Sequence, residues 1–199
     1  ARTISPALAD LDGDGKLETI AAGLIKTSGT DRDGYLHVIR SNGGAYPGWP
    51  RLSVTAATCT TNNNWLDSHA SPIVVDLNGD GALEIIEPSA NYLLVWDRNG
   101  NEISRVAPDV CSSSSPATYQ MQGQHAFFST PTATDLLGDG RIVLVVGGAS
   151  SNGIGALYAW KFPSSVATAK NMPWSQFRHD ERNTGVYGSD RIFSDGFDG

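Results

Sequence analysis

The sequence predicts an all-β fold: a β-propeller made of three four-stranded antiparallel repeats, forming part of a larger propeller. Three observations carry this expectation. One pattern occurs three times along the chain, each copy is followed by short apolar runs rich in Val, Ile and Leu, and turn-forming Gly, Pro, Asn and Asp bound those runs.

The pattern is first met as Ser5-Pro6-Ala7-Leu8-Ala9-Asp10-Leu11-Asp12-Gly13-Asp14-Gly15. It returns as Ser71-Pro72-Ile73-Val74-Val75-Asp76-Leu77-Asn78-Gly79-Asp80-Gly81, and again as Thr130-Pro131-Thr132-Ala133-Thr134-Asp135-Leu136-Leu137-Gly138-Asp139-Gly140. Pro6 and Pro72 are 66 residues apart, Pro72 and Pro131 59. A second run follows each copy, at residues 19–23, 84–86 and 143–148, and a third at 35–39, 92–96 and 156–160. Runs this short between breakers are strands, because no helical period has room to develop. After the third run, Ser41-Asn42-Gly43-Gly44 and Arg98-Asn99-Gly100-Asn101 are turns that reverse the chain into a fourth, outer strand. Four antiparallel strands make a blade, and radial repetition of blades protects sheet edges. The expected units are blade 1 over 1–52, blade 2 with an inserted connection over 53–103, blade 3 with a closing segment over 104–188, and a tail over 189–199.

Composition narrows the function classes. The chain has 199 residues, no apolar run near the roughly 18 that cross a bilayer, and no signal-peptide order at its start. It is expected to be soluble and, if secreted, already processed. The net charge is −7 with no basic stripe, which argues against a nucleic-acid partner. Asp10, Asp12, Asp14 and Glu18 in one loop, with Asp76, Asp80 and Glu84 in another, equal that whole excess. Cys59 and Cys111, the two cysteines, each sit in a polar stretch. A disulfide between surface loops is favoured over two free thiols in an oxidising compartment, although their spacing does not choose between these readings. Neither has a second Cys or His at zinc-ligand spacing.

The two acidic loops point to a divalent cation. A hard cation such as Ca²⁺ needs six to eight oxygens, and alternate acidic residues in a tight loop turn their carboxylates toward one point. Asp10, Asp12, Asp14 and Glu18 supply four side chains, with the Lys16 carbonyl as a further ligand. Asp76, Asn78, Asp80 and Glu84 repeat the arrangement, with the Ala82 carbonyl in the same role. Asp-Gly turns alone need no metal, but they do not call for acids at three alternating positions plus a fourth. In the third copy Leu137 and Val143 replace two donors, so Asp135 and Asp139 are expected to serve as a turn without calcium. An EF-hand would also fit Asp76 through Glu87. Ala21 at the equivalent terminal position of copy one, and strand-like flanks, decide against it.

The Ser-Pro, Asp-Leu-Asp-Gly-Asp-Gly and Trp96-Asp97-Arg98-Asn99-Gly100 elements together resemble the FG-GAP or VCBS repeats of secreted bacterial proteins, which are related to integrin α-subunit propellers. The resemblance spans roughly residues 3 to 162 and implies the same calcium ligands. Tyr46-Pro47-Gly48-Trp49-Pro50 resembles that family's blade ending, and Pro173 through Gly185 the segment that closes its last blade. Ile192-Phe193-Ser194-Asp195-Gly196-Phe197-Asp198 resembles the C-terminal tail of secreted Gram-negative proteins. Three blades fall short of the four to eight of propellers, so the chain is expected to be the C-terminal part of a longer protein, with self-association as the alternative.

No catalytic constellation emerges. Asp67-Ser68-His69-Ala70-Ser71-Pro72 is similar to the surroundings of a subtilisin-type nucleophile, but Ser-Pro or Thr-Pro recurs in all copies, which makes Ser71 a strand-start residue. His37, His69, His125 and His179 share no ligand spacing, and the glycines at 147–148 and 153–155 lack the helix and Lys of a phosphate loop. Trp96 and Trp160 hold matching repeat positions that suit packing, whereas Trp65 is the best exposed candidate for stacking on a sugar. The expectation is a calcium-stabilised, non-catalytic binding or scaffolding module of a secreted Gram-negative bacterial protein. The alternatives are an accessory domain of a secreted hydrolase such as a serine peptidase, with its catalytic domain upstream, and a lectin-like glycan-binding module.

Overall fold

The computed structural model describes residues 4–28, 31–54, 70–89, 91–104, 121, 123–149 and 153–179, with only the main chain described at 24–28, 31–34 and 52–54. Every regular element among them is a strand. The first copy forms β1 (Ala7–Ala9), β2 (Glu18–Ser28), β3 (Asp31–Ile39) and β4 (Arg51–Val54), paired in chain order as an antiparallel sheet. The second forms β5 (Ile73–Val75), β6 (Glu84–Ser89) and β7 (Tyr92–Trp96), again in chain order. In the third, β8 (Ala126–Phe127) and β9 (Thr132–Thr134) both pair with β10 (Ile142–Ala149), which pairs on its other edge with β11 (Gly155–Phe162).

Side chains alternate across each strand, so neighbouring residues serve opposite faces. That alternation places the second sheet between the other two. Val74, Ile85, Leu94 and Trp96 pack with Ala7, Ala9, Ile20, Leu36 and Val38 of the first sheet. Ile73, Val75, Ile86, Leu93 and Val95 pack with Ala133, Ile142, Leu144 and Val146 of the third. All six residues of β6 are consequently buried. The matching tryptophans do pack: Trp96 lies in the first core, and Trp160 packs against the second.

Among the described residues the expected fourth strand is present in one repeat. In the first sheet β4 supplies it and runs two residues beyond the expected boundary at 52. In the second, Trp96 bridges to Glu102 and the Ile103 N–H donates to the Val95 carbonyl, after which Ser104 Oγ accepts from the Val95 N–H at 2.8 Å. A hydroxyl takes the place of the next ladder carbonyl there. In the third, no fourth strand follows β11 among the described residues. Pro163 lacks a ladder donor, and Ser165 turns the chain back: its Oγ donates to the Phe162 carbonyl and accepts from the Ile142 N–H.

Two long-range features tie the sheets together. The Ser71 hydroxyl accepts from the Ser5 N–H at 2.9 Å, and the Thr130 hydroxyl accepts from the Ser71 N–H at 3.1 Å. The residue before each repeat proline therefore links one copy to the next. The described part of the segment that resembles a blade closure lies along first strands. Trp174 exchanges N–H···O bonds with Val74 of β5, and the Ser175 carbonyl accepts from the Ala133 N–H of β9. Lys161 and Leu157 of β11 are both exposed.

Candidate metal-binding turns

Each repeat folds its Asp-Gly segment around the carboxylate of its first aspartate. In the first turn Asp10 Oδ1 accepts from the Gly13 and Asp14 N–H groups at 2.7 and 3.1 Å, and Oδ2 from the Gly15 N–H at 2.9 Å. In the second, Asp76 accepts from Gly79 at 2.7 Å and Gly81 at 3.0 Å. In the third, Asp135 accepts from Asp139 at 3.0 Å and Gly140 at 2.9 Å. Paired glycines at positive φ make that inward curl accessible, Gly13 and Gly15 in the first turn and their equivalents in the others.

A buried glutamate closes the first two turns. Glu18 Oε2 accepts from the Leu11 N–H at 3.0 Å, and Glu84 Oε2 from the Leu77 N–H at 2.8 Å. Burial pushes both carboxyls up, against the opposing pull of those N–H bonds, and the turn aspartates add to the rise. Glu84, flanked by sheets on both sides, reaches about 7. Val143 fills this position in the third turn and is buried as an apolar side chain.

The donor sets differ in how far they converge. Carboxylate oxygens of Asp10, Asp12 and Glu18 lie within 4.8 Å of one another, a spacing that one cation could span. Asp14 turns aside: its Oδ1 accepts from the Lys16 N–H at 2.7 Å, its Oδ2 faces Lys16 Nζ at 3.3 Å, and the carboxyl is held below its usual range chiefly by the former bond. In the second turn Asn78 Nδ2 donates to Asp80 Oδ2 at 2.9 Å, and Asp80 Oδ1 accepts from the Ala82 N–H at 2.7 Å. Among the described residues the first turn alone brings three acidic side chains to one point. Its all-oxygen, hard donor set fits Ca²⁺ in kind. Asp10, Asp12 and Glu18 would hold the ion, which would supply positive charge to a turn that otherwise concentrates negative charge.

The remaining sequence candidates divide simply. Ser71 is buried and occupied by its two repeat-linking bonds, in keeping with a strand-start role. His125 Nδ1 lies 2.7 Å from the Tyr158 hydroxyl, and the His179 ring meets Trp174 edge-on at 5.1 Å between centroids. Trp49 of the blade-ending motif donates its indole N–H to the Arg98 carbonyl at 3.0 Å and meets Trp96 edge-on at 5.9 Å, joining the first sheet to the turn of the second. Cys59, Cys111, Trp65, His69 and the tail over 189–199 lie outside the described residues. Lys161 escaped the sequence reading. Its signal was the coincidence of lost oxygen donors at Leu137 and Val143 with a cation at the end of the third run.

No protein-family model matches the chain. No curated protein matches it either. Among solved structures, the biofilm matrix protein Bap1 of V. cholerae is similar over 82% of this chain and 24% of that one, at 18% identity and a TM-score of 0.47. The chain thus spans about a quarter of that protein's length, and a likeness at this level bears on neither ligand nor activity. No helix among the described residues is long and apolar enough to cross a membrane. The class that fold and site define is an all-β repeat protein whose repeats carry acid-rich turns.

Proposed function

We propose that this chain is a calcium-stabilised, non-catalytic propeller module, of the FG-GAP or VCBS kind, that serves binding or scaffolding in a secreted bacterial protein. The observation that carries the reading is the convergence of Asp10, Asp12 and Glu18 oxygens on one point, between the end of β1 and the start of β2. An ion there would tie the first strand of the repeat to the second, and the second turn repeats the framework with Asp76, Asn78, Asp80 and Glu84. The propeller arrangement is supported by the two-sided burial of the middle sheet and by the Ser5, Ser71 and Thr130 links, which hold successive first strands beside one another. Further blades, from a longer chain or from another copy, would complete such a ring.

The test is thermal unfolding of the whole chain in excess chelator and in millimolar calcium. Binding to the folded state alone raises stability by about 2.7 kcal/mol at a free calcium 100 times the dissociation constant. The melt is expected to rise with calcium, less so in Asp12→Ala, and least in Asp12→Ala combined with Asp80→Ala. Superimposable melts with and without calcium would end the reading.

A further inference from the structure

The three turns share one carboxylate framework, and each faces the same position on the third strand of its sheet. Thr19 pairs with Ile39, Ile85 with Trp96 and Leu144 with Trp160. The next residue along is Arg40, Asp97 or Lys161; Lys161, within β11, pairs with Val143, whereas Arg40 and Asp97 directly follow the last paired residues of β3 and β7. The position reads cation, anion, cation.

Its occupants behave differently. Asp97 spends its carboxylate on the following turn, accepting from the Asn99 and Asn101 N–H groups at 2.8 Å each, and adds to the negative surroundings of Glu84. Arg40 is among the positive groups acting on Asp14 but makes no ion pair with it among those the structure records. Lys161 reaches across from β11 and places Nζ directly on Asp139 Oδ2. Asp139 is the repeat equivalent of Asp14 and Asp80, and the contact holds its carboxyl below the usual range. The other nearby cation, Arg141, is anchored elsewhere by donating to the Ser165 carbonyl at 2.6 Å. The third turn keeps the Asp135 framework of the others although two of its oxygen donors are gone.

We infer that Lys161 is the resident cation of the third turn, its ammonium group supplying from within the chain the positive charge that the first two turns take from a divalent ion. The contrast with a divalent ion rests on the calcium reading of those two turns; the role of Lys161 in the third does not. The third turn is then sensitive to ionic strength and indifferent to calcium, whereas the first two respond to calcium, the first keeping an ionic-strength response of its own through the exposed Lys16–Asp14 pair.

Backbone amide exchange of the whole chain, followed residue by residue by NMR, tests this. The useful amides are Gly15, Gly81 and Gly140, which donate to Asp10, Asp76 and Asp135 at equivalent places in the three turns. In wild type at low salt, calcium is expected to slow Gly15 and Gly81 and leave Gly140 unchanged. Lys161→Met is expected to speed exchange at Gly140 by about two- to five-fold at low salt, the range of an exposed ion pair, with the difference shrinking in 1 M salt. Lys161→Arg should retain protection. Equal Gly140 rates in wild type and Lys161→Met at low salt, or slowing of wild-type Gly140 by calcium, overturns the inference. Indifference of Gly15 and Gly81 to calcium would instead remove the calcium reading, and the Lys161 comparison would still decide the third turn.

Discussion

Glu84 Oε2 sits 2.8 Å from the backbone nitrogen of Leu77, seven residues back across the second turn. Both partners are buried, and the first turn repeats the bond between Glu18 and Leu11. The glutamate therefore has a structural task even without an ion. It satisfies a main-chain donor that would otherwise be stranded where the chain leaves β5. Glu84→Ala is expected to destabilise the chain by about 1–3 kcal/mol in chelator, the cost of an orphaned buried donor. Glu84→Gln keeps an acceptor and should cost less, while losing the second turn's share of the calcium response. Urea unfolding of both variants, with and without calcium, separates the two roles.

The same burial gives the chain a pH dependence. Glu84 titrates near 7 when folded, above its ordinary 4.5. The folded state thus holds this proton more tightly than the unfolded one, so the contribution is fully present below about pH 4.5 and is lost as pH climbs through 7. In chelator the melting temperature is expected to fall between pH 5 and pH 8, by at most about 3 kcal/mol of stability from this group. Glu84→Gln should flatten that slope, and calcium, which favours the ionised carboxylate, should reduce it. A chelator-treated wild type whose melt is flat across this range would contradict the assignment.

Glycines at matching places in the turns should differ sharply in tolerance. Gly13 and Gly79 both have φ near +78°, but a Cβ at Gly13 meets open space, whereas one at Gly79 runs into the Ser164 carbonyl. Gly13→Ala should cost about 1–2 kcal/mol, the backbone penalty alone. Gly79→Ala should cost clearly more, because main chain and not a flexible side chain must yield. Equal unfolding midpoints for the two variants would count against the packing of residues 163–165 on the second turn.

Much of this architecture was legible because its information is local. Ser-Pro, the Asp-Gly turns and three short apolar runs announce strand, turn, strand within some thirty residues each time, and the turns fold as that spacing implies. What escaped the sequence depends on distant partners. Nothing near Ser71 says that its hydroxyl will serve Ser5, 66 residues away. Asp14 carries the right residue type, yet a competing N–H and ammonium from Lys16 turn it away from Asp10 and Asp12. The end of the connection before the third copy also reads as loop, because two residues, Ala126 and Phe127, are too few to show a period, yet they pair with β10.

The Ser71 links can be tested apart from any metal. Ser71→Ala removes the acceptor used by the Ser5 N–H, and Thr130→Val the one used by Ser71 itself. Each is expected to lower stability by about 1 kcal/mol. If the links act in series between first strands, the double variant should lose about the sum; a double variant no worse than either single one would show that the strands are held by something else.

Trp174 offers the widest reach. It is buried in the core shared by the first two sheets, its main chain pairs with Val74, and the neighbouring Asn171 carbonyl accepts from the Asp76 N–H at 2.7 Å. Asp76 is the aspartate around which the second turn curls, so this segment braces that turn from outside its own repeat. Trp174→Ala is expected to cost about 3–5 kcal/mol, the usual loss for emptying a buried aromatic site. Because no such brace reaches the first turn among the described residues, calorimetric titration of the still-folded variant should show calcium binding weakened at one site and retained at the other. Equal weakening of both would mean that the segment acts on the chain as a whole and not through Asp76.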